Sequence, residues 1–306
     1  MIGKEEFRRT QEQRVAVYSL IARLFEKPLN QDEIDLLAVG LEGAECMNAE
    51  MQHGLGVMGH YLRKRNSGTR EVLNRDYTSA FYGIQDIDGR YALPYESAFE
   101  KPNQLIMGEG RRKVFNIYKK QALRLRDAID VPEDHLSYMC EFMSVMAERS
   151  VKAFESDATE EVKESLLLQK AFLTAHVLSW YDEFSKLAEQ LVEERFYRGA
   201  LEFSGAFFKL DKDVIKSQLV DLGAAHEKFD LAWWEAPRAT DERHAYRPAL
   251  EKSLCIRKKG GLCDKCTEAC PMHIDPVLDR SGATRVECTK CGKCVEACPA
   301  GALSID

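Results

Sequence analysis

Apolar side chains recur at intervals of three and four residues along most of the chain, up to about residue 226. In the first such stripe Val15, Tyr18, Ile21 and Phe25 share one helical face, and Pro28 follows them. This spacing predicts an amphipathic helix with a buried apolar face, ended by the proline. The later stripes are Met51, Leu55, Met58 and Leu62; Val72, Leu73, Tyr77 and Phe81; Val114, Ile117 and Leu125; Leu136, Met139, Cys140, Met143 and Met146; Leu166, Leu167, Phe172 and Leu173; and Leu187, Leu191, Tyr197, Leu201 and Phe208. No alternating strand pattern accompanies them, so residues 1–226 are predicted to form an all-helical domain.

Two segments interrupt the helical pattern. Residues 83–103 are rich in glycine and proline, and a loop of this length is usually functional or disordered. Its aromatic side chains make it too apolar for disorder, so we expect it to fold back over the helices and to line a surface groove. Residues 227–254 show a weak pattern and are interpreted as a linker, which Trp233 and Trp234 could dock against a domain.

Eight of the ten cysteines lie in the last 52 residues, in two similar sets. The sets read Cys255-x7-Cys263-x2-Cys266-x3-Cys270-Pro and Cys288-x2-Cys291-x2-Cys294-x3-Cys298-Pro. The run C-x2-C-x2-C-x3-C-P is the bacterial iron–sulfur signature, and its fourth cysteine usually ligates the other cluster. We therefore predict two [4Fe-4S] clusters. Zinc is the rival metal, because C-x2-C pairs also build zinc sites.

Because the fourth cysteine of each set usually ligates the other cluster, the ligands of each cluster can be assigned from the sequence. One cluster takes Cys255, Cys263, Cys266 and Cys298, and the other takes Cys270, Cys288, Cys291 and Cys294. A module of residues 255–306 alone buries too little apolar surface to fold unaided, and metal ligation supplies the missing stability. The predicted fold class is therefore mainly α, with an all-helical bundle followed by a small α+β ferredoxin-like two-cluster domain.

The first cysteine set departs from the regular spacing, because seven residues separate Cys255 from Cys263. The insert is basic and rich in glycine. It is an ordinary longer loop beside the cluster, or Arg257, Lys258 and Lys259 meet an acidic partner or tune the cluster potential. A third reading makes Cys255 a weak ligand of a labile cluster.

Charge and composition exclude several classes of protein. The formal net charge is −7, divided into +1 for residues 255–306 and −8 for the rest. No long basic stripe indicates nucleic-acid binding, and no apolar run is long enough for a membrane helix. Arg8 and Arg9 are followed by polar residues, so we interpret them as a solvated helix face and predict no secretory signal. Cys46 and Cys140, outside the tail, are predicted to be buried thiols, and the metal-binding thiolates predict a cytoplasmic protein.

Several short motifs carry a family resemblance across about residues 10–215. Pro132-Glu133-Asp134-His135-Leu136, followed by Glu141-Phe142-Met143, resembles the P-x-D-H-L…E-F-M segment of TorD-like chaperones. These chaperones include the maturation proteins of trimethylamine-N-oxide, dimethyl-sulfoxide and nitrate reductases. Further motifs that resemble the family are Tyr18-x-x-Ile21-x-x-Leu24-Phe25-x-x-Pro28, Pro94-Tyr95-x-Ser97, His176-Val177-x-x-Trp180-x-x-x-Phe184, Phe196-Tyr197 and Phe207-Phe208-x-x-Asp211. Asp182 departs from the family, which often has proline there.

The resemblance implies a chaperone that binds an apo molybdopterin oxidoreductase, often through its twin-arginine signal peptide. Asp134 and Glu96 would pair with arginine, while Tyr95 and Phe99 would form apolar walls. His135 would sense pH or donate a hydrogen bond. The other residues assigned to the partner site are Pro94, Ser97 and Pro132.

Structural roles for the same residues stay open. Pro132, Glu133 and Asp134 also form an ordinary helix start, since proline and acidic residues favour the first turn. His135 can equally be a buried structural histidine, and Tyr95 and Ser97 can simply tie the loop down.

The predicted function is a cytoplasmic maturation chaperone with a ferredoxin tail for electron transfer or cluster delivery. We find no catalytic constellation and predict that the chain is not an enzyme. Its expected partners are an apo-oxidoreductase or its signal peptide and a redox partner, without nucleic acid or membrane insertion. The alternatives are an electron-transfer subunit docked to a reductase by the helical domain, and a redox-sensing regulator.

Overall fold

The fold was analysed in a computed structural model, which describes residues 3–46, 48–82, 92–100, 108–123, 132–227, 229–236, 249–269, 276–277 and 292–304. The chain divides into two compact units. The first unit comprises Met1–Val114 and Pro132–Leu231, and the second comprises Phe115–Val131 and Ala232–Asp306. The predicted class, mainly α with a small mixed tail, is confirmed.

Helices account for nearly all regular structure described in the first unit. They are α1 (Lys4–Glu26), α2 (Gln31–Gly40), α3 (Ala49–Arg63), α4 (Thr69–Phe81), a 3-10 turn (Glu96–Phe99), α5 (Glu109–Lys120, which ends in the second unit), α6 (Leu136–Glu155), α7 (Thr159–Phe172), a π-helical segment (Leu173–Val177), α8 (Leu178–Leu191) and α9 (Arg195–Asp221). The most extensive packing joins α1 to α6 and α3 to α9. The predicted apolar stripes lie on these helices, except for Leu125, which falls outside the described residues.

Polar side chains stabilise the helix ends. Asn30 and Glu33 form a reciprocal capping box at the start of α2, and Arg23 pairs with Glu33. The Asp76 carboxylate of α4 accepts the backbone N–H groups of Glu193 and Glu194, at 2.7 and 3.1 Å, just before α9. These bonds satisfy donors that a helix start would otherwise leave unpaired, and they set where the helices begin.

The α3–α9 interface brings two backbones into direct contact. A Cβ placed on Gly54 would lie 2.7 Å from the carbonyl oxygen of Gly199, and a Cβ on Gly199 would lie 2.8 Å from that of Gly54. Only glycine permits this approach at both positions.

An ion pair is fully buried between α1 and α9. Arg14 Nε and Nη2 donate to the two carboxylate oxygens of Asp211, at 2.6 and 2.9 Å. Tyr18 Oη donates to Asp211 Oδ2 at 2.6 Å, and Arg14 Nη1 donates to Gln11 Oε1. Each charge is matched and hydrogen-bonded, which offsets the cost of burying the pair between the two helices.

Two short strands define the frame of the second unit. Strand β1 (Ala249–Leu250) pairs antiparallel with β2 (Leu303–Ser304), with Leu250 opposite Leu303. The remaining elements described after the first unit are α10 (Leu231–Glu235), α11 (Lys265–Glu268) and α12 (Lys293–Glu296). Residues 249–250 were expected in the linker, and their pairing with the other end of the tail makes them part of the folded module.

Lys120 at the end of α5 holds the tryptophan pair within the second unit. Its Nζ lies 4.3 Å from the centre of the Trp233 ring and donates to the carbonyl oxygen of Ala236 at 2.7 Å. The cation–π contact anchors this part of the predicted linker.

The two cysteines outside the tail differ in burial. Cys140 is buried as expected, whereas Cys46 is only half-buried, because it lies in the loop between α2 and α3 rather than on a helix.

None of the helices in the described part of the chain is long and apolar enough to span a bilayer.

Candidate functional site

A small pocket in the second unit is lined by four cysteines. They are Cys255, Cys263, Cys266 and Cys298, the set that the crossing rule assigns to one cluster. The rest of its lining is apolar or proline: Leu250, Ile256, Val277, Pro299, Ala300, Ala302 and Leu303. The structure thus brings together residues that lie up to 43 positions apart in the sequence.

Each cysteine is held at the cavity by a different local element. Cys255 is buried in the turns that follow β1, and Cys266 is buried on α11. Cys298 follows α12, and its Sγ accepts the backbone N–H of Ala302 at 3.2 Å. Ala302 in turn accepts the N–H of Glu251 at 2.9 Å, so the chain segments around Cys255 and Cys298 are tied together.

The insert after Cys255 folds as one compact turn. Gly261 N–H donates to the Ile256 carbonyl at 2.9 Å, and Gly260 N–H donates to the Arg257 carbonyl at 3.2 Å. Gly260 has a φ of +89°, which completes the Schellman arrangement that ends a helical turn. Arg257 pairs with Asp264 at 3.4 Å, so the turn is also tied to the chain beyond Cys263.

The cavity suits an iron–sulfur cluster on its donor chemistry. Four thiols with apolar walls and a backbone N–H directed at one sulfur are the environment that thiolate-ligated clusters use. In the described part of the chain, no group of three His, Cys, Asp or Glu side chains converges on a single metal ion. A [4Fe-4S] cluster needs no such convergence, because each of its four cysteines binds a different iron atom. When bound, the cluster supplies one-electron chemistry.

Of the four cysteines assigned to the second cluster, one lies in the described part of the chain. Cys294 is buried on α12, whereas Cys270, Cys288 and Cys291 lie outside the described residues. Their assignment to the second cluster therefore stays a prediction.

The segments predicted to bind a partner lie side by side in the first unit. Tyr95 and His135 form an isolated antiparallel bridge, with Leu136 N–H donating to the Pro94 carbonyl at 2.8 Å. Glu96 N–H donates to the Asp134 carbonyl at 3.1 Å. The two motifs of the resemblance, whose bonded residues lie 37 to 42 positions apart, thus form one junction at the start of α6.

The polar side chains at this junction are buried and serve its structure. Asp134 has no exposed surface, and its Oδ2 accepts the Ser97 N–H at 2.9 Å. Burial raises the pKa of Asp134, against the opposing effect of its bonds to Ser97. Pro94, Glu96 and Ser97 are also buried, while Tyr95, Phe99 and Pro132 are half-buried.

His135 is the N-cap of α6. Its Nδ1 accepts the Ser137 N–H at 3.2 Å, and its ring packs edge-on against Tyr95 with centroids 4.7 Å apart. Burial lowers the pKa of His135 to about 3, so the ring is neutral at physiological pH. This lowered pKa argues against the expectation that His135 senses pH.

His176 is a site residue that sequence reasoning missed. It lies in the π-helical segment between α7 and α8, and its buried Nδ1 is 3.0 Å from Glu96 Oε2. Burial raises the pKa of Glu96, and the His176 contact opposes that rise. The bulge in the helix directs His176 to the loop, and π-bulges are frequent at functional sites. The motif His176-x-x-x-Trp180 was visible in the sequence, but the bulge was not.

Aromatic contacts complete the junction. Phe99 stacks on Trp180 of α8 with ring centroids 5.5 Å apart, and Arg111 of α5 pairs with Glu133 at 2.6 Å. Tyr82, at the end of α4, is 58% exposed. At the junction itself, the aromatic side chains of Tyr95 and Phe99 are partly exposed, whereas Glu96 and Asp134 are buried.

Both units match known protein families. The Nitrate reductase delta subunit family matches residues 44–186, and the 4Fe-4S dicluster domain family matches residues 260–303. The second match begins after Cys255 and includes the other seven cysteines of the tail. The helical fold and the cysteine-lined pocket agree with these two matches, a helical domain followed by an iron–sulfur domain.

The helical part is similar to curated chaperones along almost their whole length. Chaperone protein TorD of Vibrio vulnificus (strain CMCP6) is 26% identical over 219 residues, which cover 69% of this chain and 98% of that protein. The TorD of Vibrio cholerae (strain ATCC 39315) is 23% identical, covering 68% and 94%, and that of Shewanella amazonensis is 24% identical, covering 66% and 92%. The chain carries a TorD-like chaperone domain and, at its C-terminus, a 4Fe-4S dicluster ferredoxin domain.

Proposed function

We propose that this protein is a cytoplasmic chaperone that binds an apo molybdopterin and iron–sulfur oxidoreductase and assists its maturation. The observation that carries the proposal is the similarity to proteins named TorD over 92–98% of their length. No catalytic role is proposed for either unit.

Client binding is assigned to the junction between residues 94–99 and 132–135. Tyr95, Phe99 and Pro132, which are half-buried, offer apolar contacts to the hydrophobic part of a leader peptide, and the buried Pro94 holds the loop beside them. Ser97, Asp134 and His135 hold the loop in place, and Glu96 and Asp134 pair with a leader arginine if the loop opens on binding. The formal charge of −8 outside residues 255–306 attracts a basic leader at long range.

The tail is proposed to hold two [4Fe-4S] clusters and to pass electrons or a cluster to the client. Covalent connection to the chaperone domain keeps these centres at high effective concentration beside a bound client. Cys255, Cys263, Cys266 and Cys298 hold one cluster, and Cys270, Cys288, Cys291 and Cys294 hold the other.

The test uses protein purified without oxygen and three ligands: a candidate client's isolated twin-arginine leader, its apo form and its mature form. A chaperone binds the leader and the apo form and releases the mature enzyme. Binding of the mature enzyme alone, with rapid reduction of it, would instead establish an electron-transfer subunit.

A cysteine variant separates the two units in the same assay. Cys291→Ser is expected to leave leader binding unchanged and to impair maturation of the apo enzyme in cells. Cys46→Ser is the matched control, because this thiol lies in the other unit. Full maturation with Cys291→Ser would show that the clusters are accessory.

A further inference from the structure

The turn formed by residues 256–262 presents an apolar surface to solvent. Leu262 is fully exposed, Leu254 is 47% exposed and Ile256 is 38% exposed. These residues directly flank Cys255 and Cys263, which line the cavity. Leu262 is not part of the core formed by the described residues of its unit, so burial in that core does not explain its apolar character.

The same turn carries positive charge. Lys258 and Lys259 are exposed, and Arg257 beside them is held by Asp264 at 3.4 Å. Apolar side chains bordered by lysines form a surface complementary to an acidic protein with an apolar centre.

The turn is preformed rather than ordered by a partner. The Schellman bonds fix its backbone, and a Cβ on Gly261 would lie 2.7 Å from Ile256 Cγ2, so the backbone and the Ile256 side chain are in close contact. A surface that is already rigid loses little conformational entropy on binding.

Ile256 connects this surface to the cavity. Its side chain lines the cavity with the four cysteines and is also partly exposed. A protein that covers Ile256 therefore approaches the cluster position to within one side chain.

We propose that residues 254–262 dock a small acidic electron-carrier protein that reduces the cluster held by Cys255, Cys263, Cys266 and Cys298. One electron leaves the reduced carrier and enters the oxidised cluster, and no bond or proton is transferred. The contact is small and transient, as redox encounters are. This inference rests on the cluster part of the proposed function and does not depend on client binding.

The test measures binding of oxidised flavodoxin, used as the acidic carrier, to the complete cluster-loaded protein at about 0.05 M and about 0.5 M salt. In the variant Lys258→Glu/Lys259→Glu the association rate is expected to fall about tenfold at low salt, and the difference from the wild type should shrink at high salt. Reduction of the clusters by the reduced carrier, measured by stopped flow, should likewise be slower in the variant than in the wild type at low salt.

The matched control is Lys186→Glu/Lys216→Glu, which makes the same charge change on exposed helix positions of the first unit. Leu262→Ser tests the apolar centre and is expected to weaken binding severalfold without loss of iron, because the side chain is fully exposed. Iron and sulfide analysis and leader-peptide binding are measured on every variant.

Two results would overturn the proposal: absence of salt-dependent carrier binding by the wild type, or an equal effect of both lysine pairs. Failure of carrier binding with intact leader binding rejects this surface alone. Loss of iron from the wild type would reject the cluster assignment instead.

Discussion

Asp134 and His135 are adjacent at the start of α6 but have different structural roles. Asp134 accepts a hydrogen bond from the N–H of Ser97, whereas His135 caps α6 and packs edge-on against Tyr95. Their burial turns a motif that resembles a binding site into the anchor that holds the loop. In the proposed function, the client would meet the aromatic side chains beside this anchor.

The lowered pKa of His135 predicts a pH dependence of stability. The pKa is about 3 in the folded protein and 6.5 for an unperturbed histidine, so between these values only the unfolded state binds the proton. The free energy of unfolding therefore falls as the pH drops, by about 2 kcal/mol between pH 6.5 and pH 5.

The variant His135→Asn retains a cap acceptor and removes this titration. Urea unfolding of the two proteins from pH 7 to pH 5 should show a flatter profile for the variant. Parallel profiles would show that His135 titrates with the same pKa in the folded and unfolded states and contradict its assigned environment.

Whole elements are positioned by close contacts that single residues permit. Gly54 and Gly199 let α3 and α9 approach backbone to backbone, and the Arg14–Asp211 pair sets α1 against α9. Helix α9 is thereby fixed from two sides, which supports the aromatic core around Tyr197 and Phe184.

Substitution of Gly54 tests the α3–α9 contact. Gly54→Ala places a methyl group 2.7 Å from a carbonyl oxygen and is expected to destabilise the first unit by about 1–3 kcal/mol in thermal unfolding. Gly56→Ala in the same helix meets nothing within 4 Å and should stabilise it by about 0.5–1 kcal/mol. Equal effects of the two changes would argue against the close packing.

For the molecule as a whole, the two units derive their stability from different sources. The first has an extended apolar core, whereas the described core of the second is small, consisting of Cys255, Cys266, Val277, Cys294, Ala302 and Leu303. Half of these residues are cysteines, so the second unit depends on what its thiols bind.

Loss of a ligand should therefore unfold the tail and spare the helical unit. Cys266→Ser is expected to lower the iron content and to speed hydrogen exchange in residues 249–269, with no change in residues 136–155. Cys46→Ser serves as the control and should retain full iron. A Cys266→Ser protein with the wild-type iron content would remove Cys266 from the ligand set.

Sequence reasoning was most successful where the signal is periodic or motif-like. The helical stripes predicted the mainly α class, and the spacing from Cys263 onward predicted the dicluster domain that the family match confirms. It was weaker for the linker, because a strand of two residues shows no alternating pattern, and the pairing of Leu250 with Leu303 cannot be recognised in the sequence. It also could not tell whether Asp134 faces a partner or the protein interior, since burial is not a local property.

The chain alone thus determined the helices, the cysteine sets and the likeness to TorD-like chaperones, because each is written in the spacing of nearby residues. Packing decided the pairing of Glu96 with His176, 80 residues apart, and of Arg14 with Asp211, 197 residues apart. It also gathered four cysteines around one cavity and turned the insert after Cys255 into a rigid basic surface beside it. Such contacts depend on which helix faces meet, and hydrophobic burial across the whole chain makes that choice.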